Sequence, residues 1–300
     1  MSFSADVKKE LTAVLPDKIC CRAAMAYGLA ECGHAFSGAE ISLQTELPEV
    51  AELYGYLLPR IGQTDKPAAG ELQRRTRLYT RTFAAAADRQ KLLERFGHGH
   101  PAVSLRLNRA NLDCEECARA YLRGAFLACG AVTDPARDYH LEWSVPHYNL
   151  SRDLAALLRE VGFPVKTVSR AGSYVVYLKE SERIEDCLTY LGACRASLEM
   201  MNVKMVKSIR NETNRRMNCD NANIDKTVAA AAVQTEALRQ LKRSGRLDSL
   251  PPELRELAQL RLENPDMSLR ELGEALETPL SRSGVNHRMQ KLMKLAQDQS

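Results

Sequence analysis

No stretch of this 300-residue chain approaches the ~20 consecutive apolar residues that cross a bilayer, and the opening MSFSADVKKEL lacks the apolar core of a secretory signal. The chain is therefore expected to be cytoplasmic, with no membrane partner. A disulfide framework is missing too, because nine cysteines, an odd number, read in that compartment as reduced thiols. A zinc finger or ribbon is short of ligands: no second pair follows Cys114-x-x-Cys117 at a suitable spacing, and Cys20 and Cys21 are adjacent. The cysteines are read as ordinary buried or surface thiols, with no metal, cofactor or small-molecule substrate expected. Excess charge is scarce as well. The net charge is +4; residues 1–200 hold 25 Lys and Arg against 25 Asp and Glu, and residues 201–300 hold 17 against 13. The whole excess lies in the last third, the part suited to meet a polyanion.

What the chain does have is repetition. Cys32-Gly33, at the end of AMAYGLAECG, has a partner in Cys129-Gly130, at the end of YLRGAFLACG. After the first come an alternating segment from Ile41 to Leu47, a helical stretch ending at Gly62, a strand around Tyr79 and a helix ending at Phe96-Gly97. After the second come Leu141 to Val145, a stretch ending at Gly162, a strand around Tyr174 and a helix ending at Leu191-Gly192. About half of the chain is one unit written twice, each copy reading helix, strand pair, helix, strand pair, helix. So long a period suits two copies paired about a pseudo-twofold axis and not a stacked array. The helices carrying Cys-Gly are the natural pairing elements. Ala23, Ala24, Ala26, Gly28 and Ala30 in one, and Gly124, Ala125 and Ala128 in the other, permit close approach. Gly33 and Gly130 suit left-handed helix stops.

The run Leu122-Arg123-Gly124-Ala125-Phe126-Leu127-Ala128-Cys129-Gly130 resembles the nine-residue signature of the LAGLIDADG homing endonucleases; the first copy matches only at its end. In that family an acid before the final glycine holds a metal for phosphodiester cleavage. Cys32 and Cys129 stand there instead, and a hard divalent ion wants oxygen ligands. Glu31 lies beside the first position, but one helical step turns it away. The nuclease chemistry is expected to be lost, leaving a surviving metal-dependent endonuclease as the competing enzymatic alternative.

The last third reads as all-helical. Leu254, Leu257, Ala258 and Leu260 mark an amphipathic helix ended by Asn264-Pro265, and Ser268-x-x-Glu271 is a capping box opening the next. A turn through Glu277-Thr278-Pro279 leads into a second, basic helix, so residues 267–300 spell helix-turn-helix. Helical spacing sends Leu280, Val285, Met289 and Leu292 inward and leaves Ser281, Arg282, Ser283, Asn286, His287, Arg288 and Lys291 outside. Four cations and no acid lie on that helix. Short hydroxyls and an arginine near its start suit base edges of double-stranded DNA, and the later cations suit phosphates.

Between the two regions, residues 203–216 hold five cations and one acid, and asparagines recur to Asn223, with a helix expected from about Ala222 to Lys242. Arg210, Asn214, Arg215, Arg216 and Asn218 either track a nucleic-acid backbone or belong to a plain linker. The run RNETNRRMNCDNANIDKTVAAAAVQ, with CARAYLRGAFLACGAVTDP before it and SRSGVNHRMQKL after it, resembles the WhiA family of bacterial sporulation and cell-division regulators, over nearly the whole chain. The resemblance implies a degenerate LAGLIDADG domain linked to a helix-turn-helix like region 4 of sigma factors, in a nucleoid-associated transcription or division factor. A protein regulator or RNA polymerase is a further candidate partner, and a scaffold binding proteins of the division apparatus is the non-DNA alternative.

The expected architecture is α+β: a pseudo-twofold, LAGLIDADG-like αββαββα duplication over 1–200, a basic Asn-rich linker and helix over 201–245, and the helix-turn-helix domain over 246–300. In the first copy Arg75, Arg77, Tyr79 and Arg81 alternate with Arg74, Thr76, Leu78 and Thr80, so one strand face is basic. The second copy offers only Arg170, Gly172 and Val176 there. With no net charge over the first 200 residues, a full DNA grip is hard to sustain. That domain is expected to position the C-terminal reader or meet a protein, with Arg75, Arg77 and Arg81 as auxiliary DNA contacts.

Overall fold

The structure is a computed structural model that describes residues 2–64, 68–73, 78–99 and 104–297. Two compact units divide the chain, Met1–Lys207 and Ser208–Ser300.

The first unit opens with helix α1 (Phe3–Thr12) and then repeats one pattern. The first copy is α2 (Ile19–Glu31), β1 (Ala35–Phe36), β2 (Ile41–Thr45), α3 (Pro48–Gly62), β3 (Ala69–Gln73), β4 (Leu78–Thr82) and α4 (Ala86–Arg95). The second is α5 (Glu115–Cys129), β5 (Gly130–Val132), β6 (Leu141–Val145), α6 (Tyr148–Glu160), β7 (Lys166–Arg170), β8 (Ser173–Leu178) and α7 (Ser181–Leu191). Among the described residues the strands make two four-stranded antiparallel sheets of matching order, β1-β2-β4-β3 and β5-β6-β8-β7. The duplication expected from the sequence is thus the organisation of the unit.

Alternation builds these sheets: in β6, Leu141, Trp143 and Val145 face the core between half-buried Glu142 and Ser144. Helix α6 covers that sheet with Leu150, Leu154, Ala155, Leu157 and Leu158, all buried on one stripe. At the centre α2 and α5 cross with backbone against backbone. A Cβ at Gly28 would strike the Tyr121 carbonyl and stand 2.8 Å from Ala125 N; a Cβ at Gly124 would strike the Met25 carbonyl and stand 3.0 Å from Leu29 N. The reciprocity of these contacts is what a pseudo-twofold crossing requires.

Gly33 and Gly130 do not serve as left-handed stops. Gly130 closes α5 with φ −80°, and positive φ falls instead on Gly97, Gly162 and Gly192 at the ends of other helices. Crowding explains both residues: a Cβ on Gly33 would lie 2.7 Å from the Ser42 carbonyl, and one on Gly130 would lie 2.6 Å from the Phe126 carbonyl.

The expected linker is also corrected. Helix α8 runs from Cys194 to Arg243, taking in the Asn-rich stretch and not starting near Ala222. Its 50 residues contain neither glycine nor proline, and asparagine costs only a few tenths of a kcal/mol each against the strong helix formers around it. From Ser208 to Ala230 every side chain is exposed.

The second unit's core gathers Leu238 and Leu241 of α8, Leu254, Leu257 and Ala258 of α9 (Pro252–Glu263), Leu272 and Leu276 at α10 (Leu269–Ala275), and Val285, Met289 and Leu292 of α11 (Arg282–Gln297). Among the described residues no helix is long and apolar enough to cross a membrane.

Candidate nucleic-acid interface and the paired helix ends

The helix-turn-helix is set by three local devices. Ser268 accepts a hydrogen bond from Glu271 N (3.3 Å) while Glu271 accepts one from Ser268 N (2.7 Å), the reciprocal capping box that starts α10. Gly273 lets the turn pass close: Leu280 N donates to its carbonyl at 3.0 Å, and a Cβ there would collide with the Leu280 carbonyl. Ser281 accepts from Gly284 N at 3.3 Å, so this hydroxyl caps α11 and is not simply free for a base edge.

The two faces of α11 separate as its spacing predicts. Val285, Met289 and Leu292 are buried and Leu280 half-buried, while Ser281, Arg282, Ser283, Asn286, His287, Lys291 and Lys294 are exposed. Arg288 differs from the rest. It is only half-exposed, and its Nη2 lies 2.7 Å from Glu253 Oε2 on α9, so the helix's own unit supplies a carboxylate where a phosphate contact was expected. Spacing along α11 could not show this, since the partner sits 35 residues upstream. Arg261 also escaped notice: it is buried, and its guanidinium donates to the Pro265 carbonyl (3.3 Å) and the Met267 carbonyl, tying the turn before α10.

At the other candidate site the paired helix ends are closed. Cys32 is buried and Cys129 half-buried; the Cys129 thiol donates to the Ala125 carbonyl at 3.3 Å. The hydrogen bond with Cys129, together with burial, pushes the Cys32 thiol well above its ordinary range. Glu31 turns into the core, 3% exposed, and accepts from the Tyr27 and Tyr121 hydroxyls at 2.7 Å each. Burial pushes its carboxyl up to about 8 against the opposing pull of those two donors. The Tyr27 oxygen also accepts from Asn108 N (2.8 Å), and His98 Nε2 lies 2.8 Å from it. Lys8 lies close enough to Cys129 for the two to interact, and burial lowers its pKa. A thiol pair, a sequestered carboxyl and an ammonium make a poor seat for a hard divalent cation.

Residues 118–210 match the model of the WhiA LAGLIDADG-like domain and residues 213–296 that of the WhiA C-terminal HTH domain. A "Probable cell division protein WhiA" of Clostridium perfringens is 37% identical over 310 aligned positions, covering 99% of this chain and 98% of that protein. The protein of the same name from Carboxydothermus hydrogenoformans is 36% identical, covering 99% and 97%. This chain belongs to the WhiA family. Its fold is similar to that of full-length WhiA from Thermotoga maritima, with a TM-score of 0.60 at 20% identity and 99% of each chain covered.

The remaining candidates of this WhiA-family chain are scattered. Arg210, Asn214, Arg215, Arg216 and Asn218 are all exposed on α8, with Arg210, Asn214 and Asn218 stacked at four-residue steps along one face. Arg75 and Arg77, with Arg74 and Thr76, lie outside the described residues. Arg81 is half-buried on β4, paired in register with Leu43 and Gly70. In the second copy Arg170 ends β7, Gly172 lies in the following turn and Val176 is buried on β8, so the three do not share one strand; Lys166 and Arg170 are exposed on β7, and Arg170 stands 3.5 Å from Glu142.

The cysteines need the largest correction. The partner pair that linear spacing denies to Cys114 and Cys117 is Cys20 and Cys21, brought in from the other copy, with sulfur separations down to 3.5 Å. The pairing of α2 with α5 creates this group, and no local pattern foretells it.

Proposed function

We propose that this chain is a non-enzymatic regulator of the WhiA type that reads double-stranded DNA with the outer face of α11, acting at the nucleoid in cell division or sporulation. The observation that carries this is the exposed row of Arg282, Ser283, Asn286, His287 and Lys291 opposite buried Val285, Met289 and Leu292. Arg282, at the first turn, has the reach and fork for guanine or phosphate, while Lys291 and Lys294, further along, suit phosphates. Arg210, Arg215 and Arg216 on α8 and Arg75, Arg77 and Arg81 in the first copy are auxiliary backbone contacts. A protein regulator or RNA polymerase would engage the remaining surface.

Loss of nuclease chemistry is supported by the helix ends, where thiols replace carboxylates and Glu31 is held by two phenols. Incubation of duplex DNA with the protein and Mg²⁺ or Mn²⁺ should leave it intact, and cleavage abolished by Cys129→Ala would reverse that conclusion.

The DNA reading is tested by binding isotherms on full-length protein. Arg282→Ala should weaken a cognate site by about 1–3 kcal/mol relative to random sequence. Lys291→Ala should weaken every sequence alike and reduce the salt slope by about one. Equal losses on all sequences for both variants would remove α11 as the reader.

A further inference from the structure

We propose that Cys20, Cys21, Cys114 and Cys117 bind one zinc ion, which clamps the two copies of the first unit together. Cys20 and Cys21 stand in the first turn of α2; Cys114 is the N-cap residue of α5 and Cys117 its third residue. The four thiols therefore come from the N-terminal ends of the two crossed helices, the ends opposite Cys32 and Cys129. Their sulfurs are 3.5 Å apart for Cys21–Cys114 and for Cys114–Cys117, 3.7 Å for Cys20–Cys114 and 3.8 Å for Cys21–Cys117. All four lie within 4.8 Å of one another.

These separations decide the ligand. A tetrahedral zinc with Zn–S bonds of about 2.3 Å places its sulfurs about 3.8 Å apart, so four of the six edges already have the right length. Disulfide sulfurs would be about 2 Å apart, and all nine cysteines are free. An iron–sulfur cluster interposes several irons and inorganic sulfides between its thiolates and would spread them beyond this spacing. Four soft ligands and no nitrogen or carboxylate suit a closed, structural tetrathiolate site, and zinc outranks ferrous iron for such ligands.

Cys21 and Cys117 are buried and Cys20 and Cys114 half-buried, so the ion would be shielded on its inner side and reachable on its outer one. Packing alone gives no reason for four small side chains to aim their sulfurs at one point. Because each helix supplies two ligands, the ion would fix the helix ends beyond the Gly28–Gly124 crossing.

The test uses full-length protein purified without chelator under reducing conditions. One zinc per chain is expected by mass spectrometric metal analysis. After stripping, titration with Co²⁺ should produce thiolate charge-transfer and tetrahedral d–d absorption that saturate at one equivalent. Cys114→Ser should lose both zinc and cobalt absorption, and Cys219→Ser, on exposed α8, should keep them. Should Cys114→Ser fail to fold, the wild-type titration decides. Substoichiometric zinc with no cobalt–thiolate absorption, zinc retained by a folded Cys114→Ser, or a sulfide-containing iron chromophore would each overturn the proposal.

Discussion

Helices α2 and α5 cross so closely that Gly28 and Gly124 meet opposing backbone, whereas α10 and α11 are joined through a turn that Gly273 lets pass. The first pair turns its polar groups inward: Glu31 sits against two phenols, and Arg123, also buried, donates to the Leu191 and Val14 carbonyls at 2.6 Å each. The second keeps all but Arg288 of α11's polar side chains on an outer face. The buried charges of the first unit serve packing, and the outer face of the second is the surface proposed to meet DNA. Buried polar groups must find partners within the fold, while exposed ones stay free for a ligand.

The hardest break of that contrast is Gly124→Val. The backbone of Met25 and Leu29 cannot swing aside as a side chain can, so the loss should exceed the ~3 kcal/mol upper end of ordinary overpacking. Trp143, the single tryptophan, is buried in the first unit, so its fluorescence reports that unit alone. Urea unfolding followed at Trp143 should shift strongly, while amide exchange in α9–α11 stays as in the wild type. An unshifted Trp143 transition would show that the crossing is slack.

Much of this contrast is legible in the sequence. Leu141-Glu142-Trp143-Ser144-Val145 alternates so cleanly that the β6 boundaries follow from it, and the capping box at Ser268 and Glu271 and the inward face of α11 follow from spacing. What stays hidden depends on elements meeting. The four-thiol group needs α2 beside α5, and the Arg288–Glu253 pair needs α11 beside α9. The roles of Gly33 and Gly130 need the carbonyls of Ser42 and Phe126 in place. Helix α8 is hidden for another reason: an Asn-rich run reads as linker although it contains no residue that stops a helix. Arg75 and Arg77 lie outside the described residues, so the basic strand face rests on the sequence alone.

Glu31→Gln sharpens the inward half of the contrast. The carboxyl is raised from 4.5 to about 8 in the folded chain, so between those values the native state holds a proton the unfolded chain has released. The stabilising contribution is full below the unfolded pKa and is lost as pH rises through about 8, at up to about 1.4 kcal/mol per pH unit. Wild-type stability read at Trp143 should therefore fall by about 2 kcal/mol from pH 6 to pH 8. Glu31→Gln should remove most of that slope, and parallel slopes for the two proteins would mean that Glu31 is ionised in its pocket.

The smallest effect probes the one place where the outward half behaves like the inward half. Arg288 is held at 2.7 Å by Glu253, whose side chain is 70% exposed, so the pair is weak enough for a phosphate to compete with it. Freeing the arginine with Glu253→Gln should cost the second unit less than about 1 kcal/mol, the range of exposed ion pairs. It should tighten DNA binding at low salt by no more than about fivefold, the same energy expressed as an equilibrium ratio. In an Arg288→Ala background the gain should vanish, because a double-mutant cycle isolates the coupling between the two side chains. If the gain survives there, it comes from removing a negative charge near the phosphates, and Arg288 is a strap between α9 and α11. If Glu253→Gln leaves affinity unchanged, the DNA does not approach that end of α11, and contact is confined to the first turns around Arg282 and Asn286.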